Sequence, residues 1–112
     1  MPTVQQDVII QQGATFAQLW ELQNKDLTVG YSFAAKFRSS HTATTAVLTI
    51  SAFTVAKVGP HTHVTSSVAA ATTAALGAPA SGVYDLESTQ TSTGIVTREA
   101  EGSYYITPEV TK

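Results

Sequence analysis

The sequence has 112 residues, of which 43% are hydrophobic and only 12% charged, and its net charge is −2. A chain of this size can form one modest core, and this composition argues against intrinsic disorder. Its six lysines and arginines are never adjacent, which argues against nucleic-acid binding, because gripping a phosphate backbone needs clustered cations. There is no cysteine, so disulfides, thiolate metal sites and thiol nucleophiles are excluded.

The N-terminal stretch has no basic segment followed by an apolar one, so the sequence predicts no secretory signal. No apolar run approaches the length of a membrane span, and we expect no membrane partner. The 18 threonines and 11 valines favour strands over helices.

Segments that alternate between apolar and polar residues predict strands in the first third of the chain. The first covers Val4 to Ile10 and the second Ala14 to Leu22. The regular alternation from Tyr31 to Arg38 is typical of a sheet with one wet face. The inward residues predicted for the second and third strands are Phe16, Trp20, Leu22, Tyr31, Phe33, Ala35 and Phe37.

The middle of the chain predicts a loop at Ser39 to Thr45 and then a strand from Val47 to Val55, with Leu48 and Ile50 pointing inward. A turn at Val58 to Pro60 follows it. The next strand is His61 to Val68, with Thr62, Val64 and Ser66 on one face, and the Ala-rich stretch Val68 to Leu76 predicts two short helical turns before Gly77.

The last third predicts a breaker at Pro79 to Gly82 and a hairpin. Its strands are Val83 to Thr89 and Ile95 to Glu101, and Gly102 permits a bend or bulge before a final strand at Ser103 to Thr107. Seven or eight short strands in this series predict an all-β fold, an immunoglobulin-like antiparallel β-sandwich with one short helical crossover. We expect residues 1–112 to form a single domain.

Two histidines form the one metal-like pair in the sequence. His61 and His63 share a strand face, so both could reach one ion, with His41 as a third ligand. The alternative is two exposed histidines in a threonine-rich strand. We favour that alternative and expect no metal, because no carboxylate lies within ten residues of either histidine.

Carboxylates cluster in the predicted hairpin, where Asp85 and Glu87 share a face and Arg98 lies opposite. Acid–base catalysis would need a carboxyl group with a raised pKa in a cleft, whereas on a hairpin a cross-strand ion pair is the simpler role. There is no glycine-rich phosphate loop and no nucleophile signature. We therefore expect no catalytic residue, no cofactor and no enzymatic activity.

Adjacent tyrosines occur near the C-terminus. Tyr104 and Tyr105 point to opposite faces of a strand, so one of them is predicted to be exposed. An exposed tyrosine is a good interface residue, because it buries a large area at low entropic cost. The alternative is a tyrosine that merely tolerates solvent at a sheet edge.

Four segments carry a family resemblance: Gln12 to Phe16, Gly82 to Glu87, Gly94 to Arg98 and Glu101 to Thr111. Together they resemble a small immunoglobulin-like domain of tailed-bacteriophage structural proteins. The domain is similar to the N-terminal module of upper baseplate proteins and to related small tail, neck and fibre-attachment proteins. The stretch Ser39 to Ala80 departs most from that family, being longer and richer in Ala, Thr and His.

The resemblance implies a non-enzymatic virion structural protein that docks on a symmetric ring of the tail, baseplate or head–tail neck. Such a protein is expected to be made in the host cytoplasm without a signal peptide and to reside in the virion. Its expected partners are other virion proteins, with possible self-association in a ring. Capsid decoration is the alternative, and a host-surface or carbohydrate-binding module is a weaker one, because Trp20 is predicted to point inward. The terminal segments lie outside the alternating pattern, and free ends and edge strands can pair with a neighbour. The predicted interface residues are Pro2, Thr3, Tyr105, Pro108, Glu109 and Val110.

Overall fold

The computed structural model describes residues 4–40 and 42–108. In these residues nine strands form two facing sheets, and one short helix connects them. No helix in this part of the chain is long and apolar enough to span a bilayer. The elements are β1 (Val4–Gln5), β2 (Val8–Gln11), β3 (Phe16–Leu22), β4 (Tyr31–Arg38), β5 (Leu48–Ile50), β6 (Phe53–Val58), β7 (His61–Val68), α1 (Ala70–Ala74), β8 (Ala80–Gln90) and β9 (Val96–Thr107).

The larger sheet has six strands in the order β1-β9-β8-β4-β5, and β2 also pairs with β9. The smaller sheet has the order β3-β7-β6. The predicted immunoglobulin-like β-sandwich is thus confirmed, and α1 is the short helical crossover between β7 and β8. One detail differs from the wholly antiparallel prediction: β1 and β2 run parallel to β9.

The single strand predicted for Val47 to Val55 is wrong, because the chain changes sheets there. Leu48 and Ile50 are buried in β5 as predicted, but β6 pairs with β7 in the other sheet. The residues that face the core have even numbers in β5 and odd numbers in β6, where Phe53 lies opposite the buried Ser66. Ser51 and Ala52 are the two residues that carry the chain across.

The predicted first strand is interrupted at Gln6 and Asp7, which fasten the chain to β9. The Gln6 amide donates to the Glu101 carbonyl over 3.0 Å, and Asp7 Oδ1 accepts the Ser103 amide at 3.1 Å. This approach requires glycine at position 102, because a Cβ there would lie 2.1 Å from the Gln6 carbonyl oxygen. The absence of a side chain at Gly102 therefore allows the connection between β1 and β2 to lie directly against β9.

The hairpin strands are longer than predicted. β9 runs unbroken through Gly102, so the predicted bend there is wrong, and the register shift lies at Glu99 instead. The breaker at Pro79 to Gly82 is also wrong for its last three residues, since β8 begins at Ala80. This position in β8 requires glycine, because a Cβ there would lie 2.2 Å from the Arg38 carbonyl oxygen.

The core is centred on Trp20, which is completely buried. Its Nε1 donates to the Tyr84 hydroxyl over 3.0 Å, and that hydroxyl donates to the Gln6 carbonyl over 2.5 Å. The Phe37 ring stacks on Tyr84 with centroids 5.1 Å apart. These contacts join β3 of the smaller sheet to β8 and β4 of the larger one. The other buried apolar residues are Val8, Ile10, Phe16, Leu22, Leu27, Phe33, Ala35, Leu48, Ile50, Val64, Val68, Leu86, Ala100, Tyr104 and Ile106.

A bulge in β9 buries a charged group. Leu86 pairs with Ala100 and Glu87 pairs with Arg98, so Glu99 is the extra residue, and it is only 3% exposed. Its carboxylate forms an ion pair with Lys25 and accepts the Ser88 hydroxyl at 2.7 Å. The ion pair anchors the loop between β3 and β4 to the larger sheet.

Replacing Tyr84 with phenylalanine tests the hydrogen-bond chain. Tyr84→Phe leaves the Trp20 indole N–H and the Gln6 carbonyl without this partner, so we expect the free energy of unfolding to fall by about 1–3 kcal/mol at neutral pH. Burial raises the pKa of Tyr84 above 10.0. This contribution is therefore fully present below pH 10 and is lost as the pH rises through the folded-state pKa. The difference in the free energy of unfolding between wild type and variant should therefore become smaller in alkaline solution.

Urea unfolding monitored by tryptophan fluorescence at several pH values measures that difference. Tyr105→Phe is the matched control, because Tyr105 is exposed, and its effect should stay within about 0.5 kcal/mol. A difference that stays constant or widens above pH 10 would contradict the assignment.

Adding a methyl group at position 102 tests the close approach of the N-terminal strands. Gly102→Ala should displace the β1–β2 connection and lower the free energy of unfolding by about 1–3 kcal/mol. Gly77→Ala is the control, since a Cβ there meets no atom within 4 Å. Unfolding and amide hydrogen exchange at Gln6 and Ile9 are the measurements. Equal stability of the two variants would refute the steric argument.

Candidate functional site

Both described chain ends lie together at one edge of the six-stranded sheet. β2 pairs with the last part of β9, with Ile9 opposite Tyr105 and Gln11 opposite Thr107. We call this surface, made of β1, β2 and residues 101–108, the terminal edge. No described strand pairs with the other side of β2, so that side carries the backbone groups of an edge strand.

Alternation exposes one apolar pair on the terminal edge. Val8 and Tyr104 are buried, whereas Ile9 is 64% and Tyr105 44% exposed. Because Ile9 and Tyr105 are partners in register, their side chains are neighbours on the outer face of the sheet. The sequence predicted that one of the two adjacent tyrosines is exposed, and Tyr105, the one named as an interface residue, is the exposed one. Ile9 was missed, because its importance depends on a pairing with β9 that the local sequence does not reveal.

The other predicted interface residues divide into two groups. Pro108 is exposed and follows directly on β9. Pro2, Thr3, Glu109 and Val110 lie outside the described residues.

Polar groups surround Glu101 farther along the terminal edge. Gln5 Nε2 donates to Glu101 Oε2 over 2.7 Å, and Arg98 Nη1 lies 3.3 Å from Glu101 Oε1. Arg98 Nε also lies 3.5 Å from Asp85 Oδ2. The predicted cross-strand ion pair is therefore present, although it runs diagonally to Asp85 and not to Glu87, the residue paired with Arg98 in the ladder.

The two candidate metal ligands are engaged in protein contacts. His61 Nδ1 accepts the Asn24 amide at 3.2 Å, and His63 Nε2 lies 3.0 Å from Glu21 Oε2. This bond to His63 is the main reason that the pKa of Glu21 lies below its usual value. No group of three or more potential ligands comes together within residues 4–40 and 42–108. His41, the third candidate, lies outside them.

A second exposed apolar group occupies the end of the sandwich where β4 begins and β9 begins. Val29 is 84% exposed, and Ile95 and Val96 are 59% and 55% exposed. The Thr91 amide donates to the Gly30 carbonyl over 2.9 Å and ties the two loops together. The sequence analysis did not identify this surface, since each residue stands in a polar loop or at a strand end.

No family model and no curated protein matches the sequence. Among solved structures, the chain is similar to that of the NK cell receptor Nkp44, a triggering partner in natural cytotoxicity. The TM-score is 0.42 and the sequence identity 15%, over 97% of this chain and 100% of that chain. At this level the likeness carries no information about partners or function.

Zinc titration tests the interpretation of the histidines. Because His61 and His63 each have a protein partner, we expect no saturable zinc binding by calorimetry near neutral pH and no change in the melting temperature on adding a chelator. Saturable binding that His61→Ala abolishes would contradict this interpretation and restore the metal site.

Proposed function

We propose that this protein is a non-enzymatic structural protein of a bacteriophage virion. It docks on a symmetric ring of the tail, baseplate or head–tail neck. The observation that carries the proposal is the terminal edge, where the strands nearest both chain ends run side by side and present Ile9 and Tyr105 in register. The resemblance to small phage immunoglobulin-like modules supplies the class of partner.

The docking mechanism combines backbone pairing with an apolar anchor. The free side of β2 can accept a strand from a neighbour, which gives affinity through main-chain hydrogen bonds. Burying Ile9 and Tyr105 adds roughly 1–3 kcal/mol for each side chain. The low charged fraction of 12% lets such contacts pack closely with little burial of charge.

The contacts of the charged side chains favour a structural role over an enzymatic one. Glu99 is paired with Lys25, Glu21 with His63, and Arg98 with two carboxylates. The first two pairs and the pair of Arg98 with Asp85 link neighbouring strands or a loop and a strand, and the pair of Arg98 with Glu101 lies within β9. These groups are therefore accounted for by the fold.

Capsid decoration is the second candidate position, and copy number separates the two. Purified particles would be analysed by quantitative mass spectrometry against the major capsid protein. A ring position gives at most about a dozen copies per particle, whereas decoration gives hundreds. Absence from the particle would refute the proposed function and leave the fold unchanged.

Two substitutions test the terminal edge as the docking surface. The double variant Ile9→Ser, Tyr105→Ser should keep the fold but reduce incorporation into particles at least tenfold, because the apolar anchor is lost. The control Val29→Ser, Ile95→Ser removes comparable exposed apolar area at the end of the sandwich. The control should incorporate normally, and equal incorporation of both double variants would refute the assignment.

Deleting residues 108–112 tests the contribution of the C-terminal segment. The truncated protein should unfold at the wild-type denaturant concentration, because Pro108 is exposed, yet it should assemble less well. Normal copy number in particles assembled with the truncated protein would remove this segment from the interface.

A further inference from the structure

An open hollow lies where the loop between β3 and β4 meets β9. Its volume is about 390 Å³, within the range of roughly 300–1,000 Å³ that small-molecule sites occupy. Polar and aromatic side chains line it: Asn24, Lys25, Tyr31, Ser88, Thr97 and Glu99. None of these residues belongs to the terminal edge.

The floor of the hollow holds a buried ion pair with unused hydrogen-bonding capacity. Glu99 is 3% exposed and pairs with Lys25, whose side chain is 17% exposed. Ser88 supplies one further hydrogen bond to the carboxylate. An ammonium group has three donors, so Lys25, whose side chain is 17% exposed, can donate to a ligand while it keeps its contact with Glu99.

The rim adds three polar side chains that make no hydrogen bond within the described part of the chain. They are the side-chain amide of Asn24, the Tyr31 hydroxyl and the Thr97 hydroxyl. The Tyr31 ring is half-buried against the core and lines the hollow. The backbone of Asn24 has a φ of 59°, and its N–H donates a hydrogen bond to His61 Nδ1. The rim is thus attached to the rigid sandwich.

We propose that this hollow binds a neutral polyhydroxylated ligand, a saccharide unit. Lys25 and Glu99 neutralise each other, so the floor favours neither an anion nor a cation. The floor and the rim together present donors beside acceptors, which matches hydroxyl groups that act as both. The apolar face of a sugar ring can lie against Tyr31, as carbon-bound hydrogens do against aromatic faces.

The inference does not depend on the proposed docking function. Tyr105 lies six positions after Glu99 in β9, which places the hollow roughly 20 Å along the strand from the apolar pair of the terminal edge. A neighbour that docks on Ile9 and Tyr105 therefore contacts residues outside the hollow. Failure of one proposal therefore leaves the other standing.

The test is an NMR titration of the ¹⁵N-labelled full chain. The probes are glucose, galactose, N-acetylglucosamine, lactose and diacetylchitobiose, each added separately. At least one should cause saturable amide shifts at Asn24, Tyr31, Ser88 and Thr97, with a dissociation constant in the millimolar range expected for so small a ligand.

Variants at the rim decide whether those shifts report the hollow. Asn24→Gly removes the amide while glycine tolerates the positive φ, and it should weaken binding about three- to tenfold. Tyr31→Ala should weaken it tenfold or more. Tyr105→Ala is the matched control, and it should bind as the wild type does. If Tyr31→Ala fails to fold, the affinity of Asn24→Gly alone decides whether the shifts report binding in the hollow.

Two results would overturn the inference. One is the absence of saturable shifts at the hollow with all five probes. The other is unchanged affinity in folded Asn24→Gly, which would mean that the shifts arise from weak contacts elsewhere on the surface.

Discussion

The hydrogen-bond chain from Trp20 through Tyr84 to Gln6 is the constraint on which the rest of the structure depends. A chain without cysteine has no covalent tie between its sheets, and a buried indole N–H must find an acceptor. The Tyr84 hydroxyl accepts that hydrogen bond and donates one of its own to the Gln6 carbonyl. The core therefore fixes where the N-terminal chain leaves β1 and enters β2. The register that sets Ile9 beside Tyr105 follows from this position.

The sequence predicts those parts of the fold in which burial repeats every second residue. The bounds of β4 and β7 and their inward residues follow from that alternation, because both strands have one face on the core. The interruption at Gln6 and Asp7 could not be predicted in this way. Its causes are Tyr84 and Gly102, which are far away in the sequence. The change of sheet at Ser51 and Ala52 did leave a signal, since the apolar positions shift there from even to odd.

The candidate sites show the same division between local and distant causes. Exposure of Tyr105 follows from its alternation with Tyr104, but the exposed pair requires the parallel register of β2. The hollow depends on Lys25 and Glu99, which are 74 positions apart in the chain. Neither residue stands out from its neighbours in the sequence. Only the fold makes a buried pair of them, at a cost in desolvation that the ion pair and the Ser88 hydroxyl offset.

The bulge at Glu99 is what allows β9 to serve two surfaces. Glu99 and Tyr105 are both odd-numbered, so in a regular strand they would point to the same face. The extra residue lets Glu99 turn inward together with Ala100, while Tyr105 keeps its outward direction beyond the bulge. A strand with an extra residue re-aims its side chains at a local cost in pairing. Here that one residue puts a carboxylate under the hollow at one end of β9 and an exposed tyrosine on the terminal edge at the other.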